Sequence, residues 1–129
     1  MILSWRTVRV PPVRRDEFRG WIEENRSIRE RNGILFELVL ERATRQNPSK
    51  ALQPLEGDGP DELETVIVTG WPSHDALDAW INTPDRDRLT DSETHRGVAF
   101  RPLTRFDVIG GYLNVDGLAD VALATKEKS

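Results

Sequence analysis

Thr65-Val66-Ile67-Val68-Thr69-Gly70-Trp71-Pro72-Ser73, followed by Ala76-Leu77-Asp78-Ala79-Trp80-Ile81-Asn82-Thr83-Pro84, reads as a strand that passes directly into an interrupted helix. Thr65 to Trp71 is rich in β-branched and aromatic residues, which suit a pleated, half-buried surface. Ser73 is placed to cap a helix that carries Ala76, Leu77, Trp80 and Ile81 on one side. The helical pattern breaks near Asn82. Thr83-Pro84-Asp85 then restarts it, with a capping hydroxyl followed by proline at the first helical position. Gly97 ends this second piece.

Working outward from that core, Ile2 to Val10 has the composition of a first strand and stops at Pro11-Pro12, which cannot donate to a ladder. From Val13 the apolar residues Phe18, Trp21, Ile22 and Ile28 recur at helical spacing, and Asn32-Gly33 supplies a helix stop. Ile34 to Glu41 is a second strand with Ile34, Phe36, Leu38 and Leu40 on one face and Leu35, Glu37, Val39 and Glu41 on the other. Residues 43–63 hold Pro48, Pro54, Gly57, Gly59 and Pro60 without periodicity and read as a long loop. Val98 to Tyr112 contains a fourth strand, best defined over Leu103 to Ile109. Residues 113–129 form a C-terminal tail, with a short helix capped by Asp116. No internal repeat is present.

The order is β-α-β, loop, β-α-β. It predicts an α+β, ferredoxin-like domain over residues 1–112, with a four-stranded antiparallel sheet and both helices on one face. The second and fourth strands carry apolar or aromatic residues on more than one face. The uncovered face therefore calls for a second subunit, and a homodimer is expected.

Composition narrows the function classes. A formal charge of -4 provides no broad positive field to hold phosphate backbones, so nucleic acid is not expected as a partner. The absence of cysteine excludes disulfides, thiolate metal sites and a cysteine nucleophile. The N-terminus reaches charge at Arg6, too early for the apolar core of a signal peptide, and no apolar run is long enough to span a bilayer. A cytoplasmic protein with no membrane partner is the expectation.

Val10-Pro11-Pro12-Val13-Arg14-Arg15-Asp16-Glu17-Phe18, Asn32-Gly33-Ile34-Leu35, and Val66 to Ser73 with Ala79 to Pro84 occur in an order and spacing that resemble the antibiotic biosynthesis monooxygenase family of the dimeric α/β-barrel superfamily. The resemblance spans residues 2–112. Val13 stands where a glycine is usual, and the loop before the third strand is unusually long. The resemblance implies a cavity between sheet and helices in each subunit of a dimeric α/β barrel. It also implies, for some members, oxygenation with no metal or flavin cofactor, in which an electron-rich phenolic substrate is itself the reductant for dioxygen. Other members degrade haem. That branch is marked by an asparagine on the first strand, a tryptophan on the second helix, and a histidine roughly three helical turns further on. Those positions fall on Arg6, Trp80 and Thr90, so only the tryptophan matches and haem degradation is disfavoured.

Three residues are singled out as candidate catalytic groups: Arg6, Trp80 and His95. If Val8 and Val10 face the helices, alternation places Arg6 on the same side, where an unpaired guanidinium is costly and a carboxylate, phenolate or oxyanion would anchor to it. A salt bridge to a helix carboxylate is the structural alternative. Trp80 reads first as part of the apolar helix face with Leu77 and Ile81 and second as a ligand contact. His95 is one of two histidines, the side chains that transfer protons near neutral pH, and it also suits a helix-end capping role. His74 reads as solvated. No His/Asp/Glu spacing points to a metal, and Asp85, Asp87, Asp91 and Glu93, interspersed with Arg86 and Arg88, read as a solvated helix face. The expectation is a small-molecule enzyme, of the cofactor-independent oxygenase type or a related cyclase or dehydratase, acting on an aromatic or polyketide-like compound. The rival is a non-catalytic dimeric ligand-binding or interaction protein on the same fold.

Overall fold

The computed structural model describes residues 1–41, 64–114 and 116, so the loop expected over 43–63 and most of the tail fall outside the described residues. Strand β1 (Ile2–Arg9) is central, with β3 (Glu64–Trp71) antiparallel on one side and the fourth strand antiparallel on the other. Strand β2 (Phe36–Glu41) adds to the free side of β3, giving the order β2-β3-β1 followed by the fourth strand. The α+β antiparallel architecture is the one read from the sequence.

The fourth strand differs from expectation in being two pieces, β4 (Ala99–Phe100) and β5 (Thr104–Asp107), both paired with β1. Val8 pairs with Phe100 and Trp5 with Thr104, so two residues, Arg6 and Thr7, stand opposite three, Arg101, Pro102 and Leu103. That extra residue is a β-bulge. Pro102 has no amide hydrogen to give to the ladder, which makes this the place where the strand tolerates interruption. Because a bulge reverses the alternation of side chains, Phe100 and Leu103 both come to the helix-covered face.

The first helical region is also divided. A 3₁₀ turn (Pro12–Arg14) leads into α1 (Arg15–Glu24), and α2 (Arg26–Arg31) follows after a break at Asn25. The Asn25 side-chain amide donates to the Trp21 carbonyl at 2.8 Å, which also accepts from the Asn25 backbone amide at 3.2 Å. The side-chain amides of Asn32 and Asn82 likewise donate to the Ile28 carbonyl at 2.7 Å and the Asp78 carbonyl at 2.9 Å. The break at Asn82 separates α3 (His74–Ile81) from α4 (Pro84–Thr94), as the sequence indicates. Ser73 Oγ accepts from the Ala76 amide and Thr83 Oγ1 from the Arg86 amide, each at 3.2 Å, so both expected caps form. Gly33 and Gly97 adopt φ of 94° and 89°, and each closes a helix with the paired i−5 and i−3 bonds of a Schellman motif.

Two apolar clusters fill the space between sheet and helices. Val8, Val10, Phe18, Ile22 and Val98 pack at one end, and Ile2, Trp71, Leu77 and Trp80 at the other. Each fully buried large side chain in these clusters contributes roughly 1.5–3 kcal/mol. A buried ion cluster ties the first helical segment to α4 beside the first of them. Glu93 is completely buried, 3.4 Å from Arg14 and 3.9 Å from Arg96, and Arg14 also donates to the Arg96 carbonyl at 3.1 Å.

The opposite sheet face is apolar and open. Register places Trp5, Phe36, Leu38, Leu40 and Phe106 there, and Trp5, Leu38, Leu40 and Phe106 are each more than a third exposed. The apolar face of β2 thus points away from the helices, and its Glu37 points toward them. Gly70 sits opposite Phe36, whose ring lies across the glycine so closely that a Cβ would come within 2.2 Å of it.

Candidate functional site

The helix-facing residues of β1 are Ile2, Ser4, Arg6, Val8 and Val10. Ile2 belongs to one apolar cluster, Val8 and Val10 to the other, and Ser4 and Arg6 fall between them. On β3 the matching row is Thr65, Ile67, Thr69 and Trp71, again polar in its middle. A void opens where these polar centres meet. Its cavity volume is about 100 Å³. One water needs roughly 10–15 Å³ by the same measure. The cavity therefore accepts several waters or, in their place, a small planar organic molecule.

Aromatic side chains form much of its wall: Trp21, Trp71, Trp80 and Phe100. Trp71 and Trp80 stack with centroids 6.3 Å apart. Trp71 is anchored by its indole Nε1–H, which donates to Thr69 Oγ1 at 2.9 Å, and that hydroxyl also shares a hydrogen bond with Ser4. Trp80 is 9% exposed and lies in the apolar cluster while also lining the void.

Charge is distributed unevenly across the cavity. Arg29 and Glu37 form an ion pair in which Nη2 donates to Oε1 at 2.8 Å and Nε stands 2.7 Å from Oε2 without hydrogen-bond geometry, and Arg29 also donates to the Ile22 carbonyl at 2.7 Å. Burial pushes the Glu37 carboxyl above its ordinary range, with Arg29 opposing that shift. Among the described residues Arg6 has no such partner. Its Nε is buried without a hydrogen-bond acceptor, and its guanidinium lies 5.8 Å from the centre of the Phe100 ring. Burial, and then the positive charge of Arg86, push the Arg6 pKa down to about 10. Arg86 also lines the cavity, and its acid neighbour Asp87 stands 3.8 Å away on the exposed side.

The structure brings Arg6, Trp80 and Thr90 to this one cavity. His95 is not among its lining residues; it is exposed at the C-terminal end of α4, where its backbone amide donates to the Asp91 carbonyl at 3.1 Å. His74 is on the surface at the start of α3, 2.9 Å from Asp107 and 3.2 Å from Arg105. Neither histidine reaches the void. Among the described residues no cluster of three or more acidic or histidine side chains is arranged to hold a metal ion, and no helix is long and apolar enough to cross a membrane. With threonine at position 90 and no histidine on the cavity wall, the residues present do not fit ligation of haem iron.

No protein-family model matches the sequence, and no curated protein matches it. Solved structures do. A Deinococcus radiodurans protein described as a candidate antibiotic biosynthesis monooxygenase superposes with a TM-score of 0.62 at 17% identity, over 88% of this chain and 97% of that one. The chain has the antibiotic biosynthesis monooxygenase fold. SnoaB from Streptomyces nogalater, a cofactor-independent oxygenase, shares that fold with a TM-score of 0.59 at 13% identity, covering 85% of this chain and 94% of its own. So does MhuD, a haem-degrader from Mycobacterium tuberculosis, with a TM-score of 0.54 at 20% identity, 88% of this chain and all of its own. At these identities the likeness is one of fold, and it hosts more than one chemistry.

Within the antibiotic biosynthesis monooxygenase fold, the cavity residues that sequence reasoning passed over are Glu37, Arg29, Arg86 and Phe100. Glu37 carried a usable signal, since alternation already placed it opposite the apolar face of β2. Arg86 looked like one of several charges on a solvated helix. Phe100 reaches the cavity only through the bulge, which no local pattern announces.

Proposed function

We propose that the protein is a small-molecule enzyme of the cofactor-independent oxygenase type, acting on an aromatic or polyketide-like phenolic compound within the cavity. One observation carries this reading: Arg6, a half-buried cation whose buried Nε has no acceptor among the described residues, opens into an aromatic-walled void. Such a wall accepts a planar ring, and such a cation favours its anionic form, because the charge that forms on deprotonation is met by a guanidinium already in place. In a representative reaction an anthrone methylene loses its two hydrogens and gains one oxygen atom of dioxygen as a carbonyl. The second oxygen leaves as water, and the substrate supplies all the electrons. Arg6 stabilises the enolate or phenolate that gives up those electrons, and Trp71 and Trp80 hold the ring.

The apolar outer sheet face supports a second copy of this chain as partner, which would remove Trp5, Leu38, Leu40 and Phe106 from water. A closed, side-chain-filled interior is what the rival, non-catalytic scaffold reading requires; the void beside Arg6 and Trp80 favours chemistry. The deciding experiment measures oxygen consumption and thermal stabilisation with a panel of anthrones and polyphenols. Oxygen uptake that depends on Arg6 supports the oxygenase. Stabilisation with no oxygen uptake supports a binding protein, and neither effect removes both readings.

A further inference from the structure

We propose that the cavity is a receptor for an aromatic carboxylate, held between Arg6 and Arg86. The inference rests on the assignment of this cavity as the ligand site and names the substrate class that it selects. Among the described residues, three guanidiniums and one carboxylate line the void, Arg6, Arg29 and Arg86 against Glu37. Arg29 is already paired with Glu37. Arg6 is left with no acceptor for its Nε among the described residues, and Arg86, whose acid neighbour Asp87 stands 3.8 Å away on the exposed side, lines the same void.

Two like charges on the wall of one cavity are held there at a cost that one anion placed between them removes. A single phenolate oxygen is a narrow acceptor for two planar donor groups. A carboxylate presents two oxygens and accepts from both, including the Arg6 Nε that lacks an acceptor. The Arg6 guanidinium lies over the Phe100 ring, 5.8 Å from its centre. Trp71, Trp80 and Leu103 line the same void and offer apolar surface to a ring attached to the carboxylate. The ligand is thus an aromatic or polycyclic acid whose carboxylate lies on or beside the ring system, with Thr90 supplying a further hydroxyl at the cavity wall.

The test compares 2-naphthoate with its neutral isostere 2-naphthamide by titration calorimetry, using the full chain at neutral pH, together with Arg6→Met and Arg86→Met. The naphthoate binds about ten- to a hundredfold more tightly than the amide, the range for hydrogen bonds to charged groups, and added salt narrows the gap. Either substitution cuts that ratio by about tenfold while amide binding persists, which shows that the ring site has survived. Equal affinity for acid and amide, a ratio unchanged in both variants, or no binding of either probe at millimolar concentration overturns the proposal. Oxygen uptake is scored separately. Carboxylate selectivity without oxygen uptake keeps this proposal and sinks the oxygenase, whereas oxygen uptake that ignores a carboxylate on the substrate does the reverse.

Discussion

Replacing Arg6 by methionine should stabilise the protein. Folding lowers the Arg6 pKa to about 10 because burial, and then the positive charge of Arg86, disfavour the charged form. A lowered pKa on a cation means that the charge costs stability. The cost is fully present below the folded-state value and is relieved as pH rises through about 10, so a measurement at pH 7 sees all of it. The whole shift corresponds to at most about 3 kcal/mol at 1.36 kcal/mol per pH unit. Part of the guanidinium still meets water, and discounting for that screening leaves about 1–2 kcal/mol. Methionine keeps most of the apolar stem and its contact with Phe100, so little packing is lost against this gain. The assay is urea denaturation of wild type and variant at neutral pH and low protein concentration, with the slope checked for constancy. A midpoint shift to higher urea, equivalent to about 1–2 kcal/mol, is expected. A loss of more than about 1 kcal/mol would refute the reasoning, because it would mean that Arg6 already has a good anionic partner.

Glu93→Gln leaves Arg14 and Arg96 facing a neutral amide at a completely buried site, and should lower stability by about 3 kcal/mol in the same assay. Trp80→Ala removes a stacked ring from the second apolar cluster and should cost about 3–5 kcal/mol, with loss of aromatic ligand binding measured by calorimetry. Gly70→Val places a branched side chain where the Phe36 ring lies, and should lower the melting temperature measurably by circular dichroism; Phe36→Ala together with it should recover part of the loss. Sedimentation at micromolar concentration should show a dimer, and Trp5→Glu should shift it toward monomer.

Features set by neighbours in the chain were legible before the structure. Gly33 and Gly97 end helices because each reaches positive φ without a Cβ penalty, and Ser73 and Thr83 start them because a hydroxyl two or three residues back meets an open amide. Asn25 was illegible as a break, since the apolar spacing of Phe18, Ile22 and Ile28 runs through it. The division of the fourth strand depended on its pairing with β1, which is a tertiary fact. Alternation gave both faces of β2 correctly but left open which one the helices cover, and so Glu37 was not set beside Arg6.

The first strand shows why the site and the fold are hard to separate. A row reading Ile2, Ser4, Arg6, Val8, Val10 violates the simple rule that a helix-covered face is apolar throughout, and the violation falls at its centre. Apolar ends anchor the sheet to α3 at one extremity and α1 at the other, so the middle is spanned without being filled. Ser4 is satisfied by Thr69 at no further cost, but Arg6 is not satisfied by any described residue, and the bulge opposite it adds Phe100 and Leu103 to the same wall. A sequence that needed only a stable core would place valine or leucine at position 6. Retaining arginine there makes sense if the missing acceptor arrives with the ligand, and the stability gained by Arg6→Met should then be matched by the anion selectivity it removes.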